Sequence, residues 1–317
     1  MIAAPASDNA LTFATAYHAP VLVDAMLRAC ATATTVLDGT LGGGGHTAAL
    51  LAAGKQVTAL DRDPAAIAVA GERLHEALAA GMLEIVQCNY ADVGTVAALE
   101  GRRFDAILLD LGVSSRQLDD DARGFSFRMG APLDMRMEDR GTSAAEWLNT
   151  TGEGEMVQAF REYGDEPRAH KLARIIAERR ELRPFAVSDD FVNAIRATLG
   201  ARSGPSDFAR LFQALRIAVN DELGGLARAL PLLRDRLTPG GVFLVMAYHS
   251  GEDRLVKHAF RAWSTACSCP PRAPFCQCDR IALGTLPVRK ALVADAAEIA
   301  LNPRARSAHL RVWQRAG

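Results

Sequence analysis

Three aspartates, Asp38, Asp61 and Asp110, each close a short run of mostly apolar residues: "TTVLD", "KQVTALD" and "FDAILLD". The first run leads into "GTLGGGGHTAAL", with four glycines in succession. Glycine lets a backbone pass close to a ligand or take a left-handed turn. A glycine loop that cradles nucleoside triphosphates continues into Lys-Ser/Thr, whereas His46 and Thr47 follow here. A dinucleotide loop turns a helix N-terminus toward pyrophosphate, an anion that an adjacent carboxylate repels. Asp38 at this place therefore favours a ligand that carries positive charge or amines. A tight structural turn is the plainer reading of the glycines alone.

The elements that must position these groups follow a regular rhythm. The strand "TTVLD" precedes the glycines and a helix over "HTAALLAAG"; the strand "KQVTALDRD" precedes one helix over "PAAIAVAGERLHEALAA", opened by Pro64. The strands "LEIVQCNY" and "FDAILLDLG" come next. Continuous apolar strands alternating with helices predict a parallel sheet covered on both faces. Ligands of such sheets lie beyond the carboxyl ends of the strands. That rim gathers Asp38 with the glycines, Asp61, Asn89–Tyr90 and Asp110, so four consecutive strands deliver polar groups to one edge. Asp61 stands where an acid can accept both hydroxyls of a ribose. S-adenosylmethionine has a ribose, a sulfonium and an ammonium, and no phosphate; Asp38 and Asp110 favour it over a dinucleotide.

From about Ser115 to Phe208 strand signal fades and helical stretches take over: "AAEWLN", "EGEMVQAFREYG", "PRAHKLARIIAERREL" and "SDDFVNAIRATLG". The rhythm resumes with one long helix, "DFARLFQALRIAVNDELGGLARALPLLRDRL", a turn at "TPGG" and a fifth strand, "VFLVMAYHS". Either "PVRKALVA" or "SAHLRVWQR" can supply closing strands. The fold class is α/β, a Rossmann-like sheet over 1–114 and 209–317 interrupted by a helical insertion over 115–208.

The 317 residues are 49% hydrophobic, which supplies a sizeable core, and the net charge of −1 rules out a uniformly basic chain while leaving local basic patches open. The first residues lack a basic stretch followed by a long apolar run, and no segment approaches the roughly 18 apolar residues of a membrane span. The reading is a cytoplasmic protein without membrane contact. Of six cysteines, Cys267, Cys269, Cys276 and Cys278 crowd into "CSCPPRAPFCQC". A reducing compartment makes these thiols or metal ligands. Four thiolates can close a tetrahedral zinc site, but C-x-C pairs are not the usual spacing; reduced loop thiols are the commoner reading, and no metal is assigned.

The segments "LLDLGVSSRQLDDDARGFSFRMGAPLDMRM" (Leu108–Met137) and "YHSGEDRLVKHAFR" (Tyr248–Arg261), with "YHAPVL" near the start and "NPRARSAHLR" near the end, resemble the ribosomal RNA small subunit methyltransferase H family. The motifs run in order from about Tyr17 onward. The resemblance implies a class I methyltransferase domain with a helical insertion that recognises substrate. It implies S-adenosylmethionine as cofactor and the N(4) amine of a cytidine in the decoding region of small-subunit rRNA as target. By matching position, Gly44, Gly45, His46, Asp61, Tyr90, Asp110 and Gln117 contact the cofactor. Asp38 joins this set from the rim argument above. Tyr90 stands where the family often has phenylalanine, Arg116 where it often has proline, and Gly251 where it often has leucine. A homodimer is compatible with the resemblance.

Methyl transfer from a sulfonium is an in-line displacement for which the protein mostly supplies alignment. Cytosine's exocyclic nitrogen is a weak nucleophile, so an acceptor at its NH₂ helps to fix it and to take up the released proton. Asp110 is the first candidate, with a purely cofactor-orienting role as its rival. His249, at the end of the fifth strand, is the second, with a structural role as its rival. The target base must be single-stranded or turned out of its stack. Phe125 and Phe127 are stacking surfaces or core anchors. Arg168, Lys171, Arg174, Arg179, Arg180 and Arg183 are phosphate contacts or a solvated helix face, and the basic tail "NPRARSAHLRVWQR" is the stronger RNA-contact expectation. Methylation of another amine in nucleic acid or protein, or cofactor binding without turnover in ribosome assembly, are the alternatives.

Overall fold

The computed structural model describes Phe13 and residues 20–138, 140–267, 269, 278 and 281–317. Tyr17–Ala19 of the first motif, Cys276 and most of the proline-rich connector lie outside the described residues. The chain divides into two compact units, Met1–Gly112 with Leu223–Gly317, and Val113–Glu222. The boundary expected at 208/209 falls inside a helix of the second unit, which runs on to Glu222.

The first unit is built on one sheet. After helix α1 (Val23–Ala29) come β1 (Thr35–Asp38), α2 (Gly45–Ala52), β2 (Gln56–Asp61), α3 (Pro64–Arg73), α4 (His75–Ala79), β3 (Leu83–Gln87) and β4 (Phe104–Asp110). The expected single helix from Pro64 is thus divided at Leu74. Asp63 accepts from the Ala65 N–H at 3.0 Å and Pro64 occupies the first turn, so α3 starts where its sequence signals place it. The sheet order is β3-β2-β1-β4-β5-β7-β6, with β5 (Leu237–Ala247), β6 (Gly284–Thr285) and β7 (His309–Arg315). Strands β1 to β5 pair in parallel, and β7 pairs antiparallel with β5 and β6. "SAHLRVWQR" is therefore a closing strand, whereas "PVRKALVA" contributes only a bridge from Leu292 to Leu310.

Side chains alternate across the pleat, so each strand feeds two cores. Val36, Val57, Ala106, Leu108, Leu244 and Met246 pack on the side of α1 and α2. Leu37, Leu60, Ile107, Leu109, Phe243 and Val245 pack on the other, with Trp313 and Phe260. The turn expected at "TPGG" is instead a bulge within β5. Pairing with β4 jumps from Phe104–Leu237 to Ala106–Val242, and Gly240 sits at φ 76°.

The long helix expected over Asp207–Leu237 is two helices, α10 (Pro205–Val219) and α11 (Glu222–Asp235), parted at Asp221 with φ 47°. Asn220 ends the first: its Nδ2 donates to the Arg216 carbonyl at 2.9 Å and to the Met135 carbonyl at 2.8 Å. The second unit also holds α5 (Ser115–Asp119), α6 (Ala144–Thr150), α7 (Glu153–Glu162), α8 (Ala169–Leu182) and α9 (Ser188–Leu199). Their apolar faces meet around Phe160, Phe191 and Phe212. Buried Glu166 is held by Arg210 at 2.6 Å.

Candidate active site

The expected rim exists at the carboxyl ends of β1, β2, β3 and β4, joined by that of β5, and a chain of hydrogen bonds ties Asp38 to Asp110. Asp38, fully buried, accepts from the Thr47 hydroxyl at 2.6 Å and from the Thr40 N–H at 3.1 Å. The Thr40 hydroxyl accepts the Asp110 N–H at 2.7 Å. Asp110 Oδ1 accepts the Tyr248 hydroxyl at 2.8 Å. One path of polar contacts therefore runs from α2 through the end of β1 to β4 and β5.

Burial pushes the Asp38 carboxyl above its ordinary value, against the hydrogen bonds from Thr47 and Thr40. Burial also raises Asp61, against the N–H groups of Asp63 and Gly42, which donate at 2.8 and 2.7 Å. The Gly42 bond fastens the glycine loop to the end of β2. Burial and then the neighbouring Asp110 carboxylate drive the Tyr248 phenol well above 10.0, so it stays protonated and donates.

Among the four successive glycines of the loop, Gly44 has the clearest steric need. It caps α2 in the left-handed region, φ 75°, and a Cβ there would meet Leu74 Cδ1 at 3.0 Å. Gly45 and His46 begin the helix. The His46 ring is buried; its Nε2 lies 2.9 Å from the Val21 carbonyl and therefore donates, and Nδ1 faces Asp110 Oδ2 at 3.4 Å. Asn89 accepts from the Ala91 N–H at 3.0 Å and so starts the short turn Tyr90–Asp92, which sets half-buried Tyr90 at the rim end of β3.

His249 caps α12 (Ser250–Trp263), with Nδ1 facing the Glu252 N–H at 3.5 Å. Its Nε2 is buried 3.1 Å from Glu252 Oε1, in an arrangement too bent for a hydrogen bond. Glu252 in turn accepts the Tyr248 N–H at 2.9 Å. Asp253, on the same first turn, is held by Arg311 in two bonds of 2.7 and 2.8 Å. At Gly251 a Cβ would stand 3.2 Å from both the His249 ring and Leu223, so this glycine fits a crowded cap.

Asp38, Asp61, Tyr90, Asp110, His46 and His249 thus all belong to the sheet unit. Gln117 belongs to the other unit, where Oε1 accepts the Ser114 N–H at 3.0 Å. Phe125 is a core anchor of that unit, while Phe127 is 38% exposed and rests edge-on against Phe208 and Phe212. Arg168 and Lys171 donate to the last carbonyls of α9, at 3.2 Å to Leu199 and 3.0 Å to Thr198. Arg180 does the same for α6, at 2.7 Å to the Thr151 carbonyl. In the tail, Arg311 and Arg315 are engaged within the fold and Arg306 is exposed. Sequence reasoning missed Thr40, Thr47 and the use of Tyr248. Thr40 and Tyr248 are hydroxyls one or two residues beyond a strand end, and Thr47 is a hydroxyl in the first turn of the helix that follows, signals too common to single out.

A doubly wound sheet with this strand order, carboxylates along its carboxyl rim and a glycine loop after β1 is that of a class I methyltransferase. Residues 15–316 match the MraW methylase family, and the chain belongs to it. The chain is 58% identical over 301 residues to the ribosomal RNA small subunit methyltransferase H of Gemmatimonas aurantiaca, covering 95% of this chain and 96% of that one. It is 43% identical over 310 residues to the protein of the same name from Heliobacterium mobile, covering 94% and 99%. A crystallised rRNA methylase from Streptococcus thermophilus, 12% identical, covers 90% of this chain and 87% of its own at a TM-score of 0.37, too distant to carry weight.

Proposed function

We propose that the chain transfers a methyl group from S-adenosylmethionine to the exocyclic N(4) amine of a cytidine in small-subunit ribosomal RNA, in the cytoplasm. The observation that carries the reading is the polar path from Thr47 through Asp38, Thr40 and Asp110 to Tyr248, placed beside Asp61 on one rim. The donor set suits the cofactor: buried Asp38 and half-buried Asp110 for a cationic ligand, an acid at the end of β2 for ribose hydroxyls, and an aromatic face at Tyr90 for adenine. A Cβ on Gly42 or Gly43 would meet nothing within 4 Å, so the loop backbone lies open to a ligand. Asp38, Gly44, Gly45, His46, Asp61, Tyr90 and Asp110 are the residues of the sheet unit assigned to hold it. When bound, the cofactor supplies a methyl on a good leaving group.

Asp110 is assigned the target amine. One carboxylate oxygen is fixed by Tyr248, so the carboxylate's orientation is set before substrate arrives. It accepts from the NH₂ and takes up the proton that leaves it. The His249 ring caps its own helix, with Nδ1 toward the Glu252 N–H, and in this reading it positions α12, while Glu252 holds the backbone of Tyr248. Val113–Glu222 is assigned substrate recognition, with exposed Phe127 and Arg174 as base and phosphate contacts.

The test is to incubate the chain with S-adenosylmethionine labelled in its methyl group and immature small subunits, then to map the label. One cytidine bearing label on N(4) is expected. Label on another base or on protein, or none with cofactor bound, overturns the assignment.

A further inference from the structure

At the end of α12 away from the rim, three thiols converge. Sγ atoms of Cys267, Cys269 and Cys278 all lie within 4.8 Å of one another. Cys267 and Cys278 approach to 3.6 Å. A disulfide requires a sulfur separation of about 2.05 Å, so this pair is not bonded. Three thiolates on a tetrahedral zinc, at about 2.3 Å each, stand about 3.8 Å from one another. The observed approach is that of neighbouring corners of such a tetrahedron.

The sequence explains how the corners meet. Cys267 and Cys269 stand two residues apart and Cys278 nine residues further on, so one short stretch of chain offers all three ligands. The cluster sits between two anchored points: Trp263, packed among Phe243, Phe260 and Trp313, and Leu283, whose N–H donates to the Trp263 carbonyl at 2.8 Å. Among the described residues of the crossover from α12 to the edge strand β6, Ile281 and Leu283 are exposed.

We infer that Cys267, Cys269 and Cys278 bind a zinc ion that pins the crossover between α12 and β6. The role is structural. The 14 residues of α12 span about 21 Å, which separates the cluster from the rim acids at the helix start. Zinc binds the thiolates, so each ligand gives up its proton to solvent on binding and no oxidant is involved. Described ligands fill three corners; the fourth is left to a donor outside them.

The experiment uses the full chain, purified under reducing conditions from zinc-supplemented cells, with metal content measured by mass spectrometry. About one zinc per chain is expected, falling below about a tenth in C267S/C278S. Cofactor binding by calorimetry, retained in that variant within about threefold, shows that the loss is of ligands and not of the fold. Cobalt exchanged into the parent chain should give the thiolate charge-transfer and visible bands of a tetrahedral site, absent from the variant. A zinc-free parent whose thiols react with a disulfide reagent equally fast with and without added zinc overturns the inference. So does an iron–sulfur chromophore in place of zinc, or zinc content unchanged in the variant.

Discussion

Replacing Asp38 by asparagine should strengthen the fold and weaken the cofactor. Asp38 is fully buried and accepts two hydrogen bonds. Asparagine keeps both contacts: its carbonyl accepts the Thr40 N–H, and its NH₂ donates to the Thr47 hydroxyl, which rotates to accept. What is lost is the charge. Burial holds the Asp38 carboxyl above its ordinary 3.8 despite those bonds, and the nearby Asp110 charge adds to the rise. A native value above the unfolded one means that ionising Asp38 costs native stability. That cost is absent at low pH, grows as pH rises from 3.8 through the raised native value, and is constant above it. D38N should therefore unfold together with the parent chain near pH 3 and at a higher temperature at neutral pH. Cofactor binding moves the other way. A positive charge about 6 Å from a carboxylate, at an effective dielectric of about 20, gains about 2–3 kcal/mol, a factor of about thirty to one hundred and fifty in affinity. Calorimetry with S-adenosylmethionine and thermal unfolding across pH read both effects. Affinity within twofold of the parent would refute the claim that this acid answers a cation. A lower unfolding temperature at neutral pH would refute the claim that its charge is a folding cost.

Three further outcomes follow from the same contacts. Asp61→Ala should lower cofactor affinity by about 1.5–3 kcal/mol through loss of a charged acceptor, and unchanged affinity by calorimetry places the ribose elsewhere. Tyr248→Phe, which leaves Asp110 Oδ1 without its donor, should slow single-turnover methylation at saturating cofactor about tenfold. Combined with Asp110→Asn the losses should not add, and full additivity separates the two residues. Asp105→Ala should destabilise the fold by about 2–3 kcal/mol, because this acid accepts from Thr34, Thr35 and Thr238 at the amino end of the sheet, with three bonds of 3.0 Å and one of 3.1 Å. Burial raises its carboxyl, but the bonds from Thr35, Thr34 and Thr238 outweigh that and leave it below 3.8. Its contribution is therefore full above pH 3.8 and lost as pH falls through the depressed native value; denaturant midpoints that differ equally at pH 7 and pH 2 contradict this.

The strands legible in the sequence are those whose residues carry their own reason to be strands. Runs such as Ala106–Leu109 and Phe243–Met246 are apolar on both faces because each face meets a core, and that doubly buried pattern is visible without a structure. Strand β6 is not legible, since Gly284 and Thr285 pair only because β7 lies beside them. A side chain at Gly284 would overlap Trp313 and the Gln314 backbone, a constraint that exists only once the chain has folded. The break at Asp221 was hidden for a related reason. Apolar residues continue on either side of it with helical spacing, and what stops α10 is Asn220 reaching carbonyls at Arg216 and Met135, the latter 85 positions away. The rim acids obey the first logic: each sits at the end of its own strand, so parallel topology alone brings them together. Their partners obey the second. Tyr248 stands 138 positions from the carboxylate it holds, and no spacing rule connects them. Basic residues at the start of α8 show what spacing leaves out. Arg168 and Lys171 stand in sequence as phosphate contacts or a solvated face, and in the fold each also donates to the last carbonyls of α9. Charge in sequence counts ionisable groups, while a surface that meets phosphate is what remains after the fold has used its share.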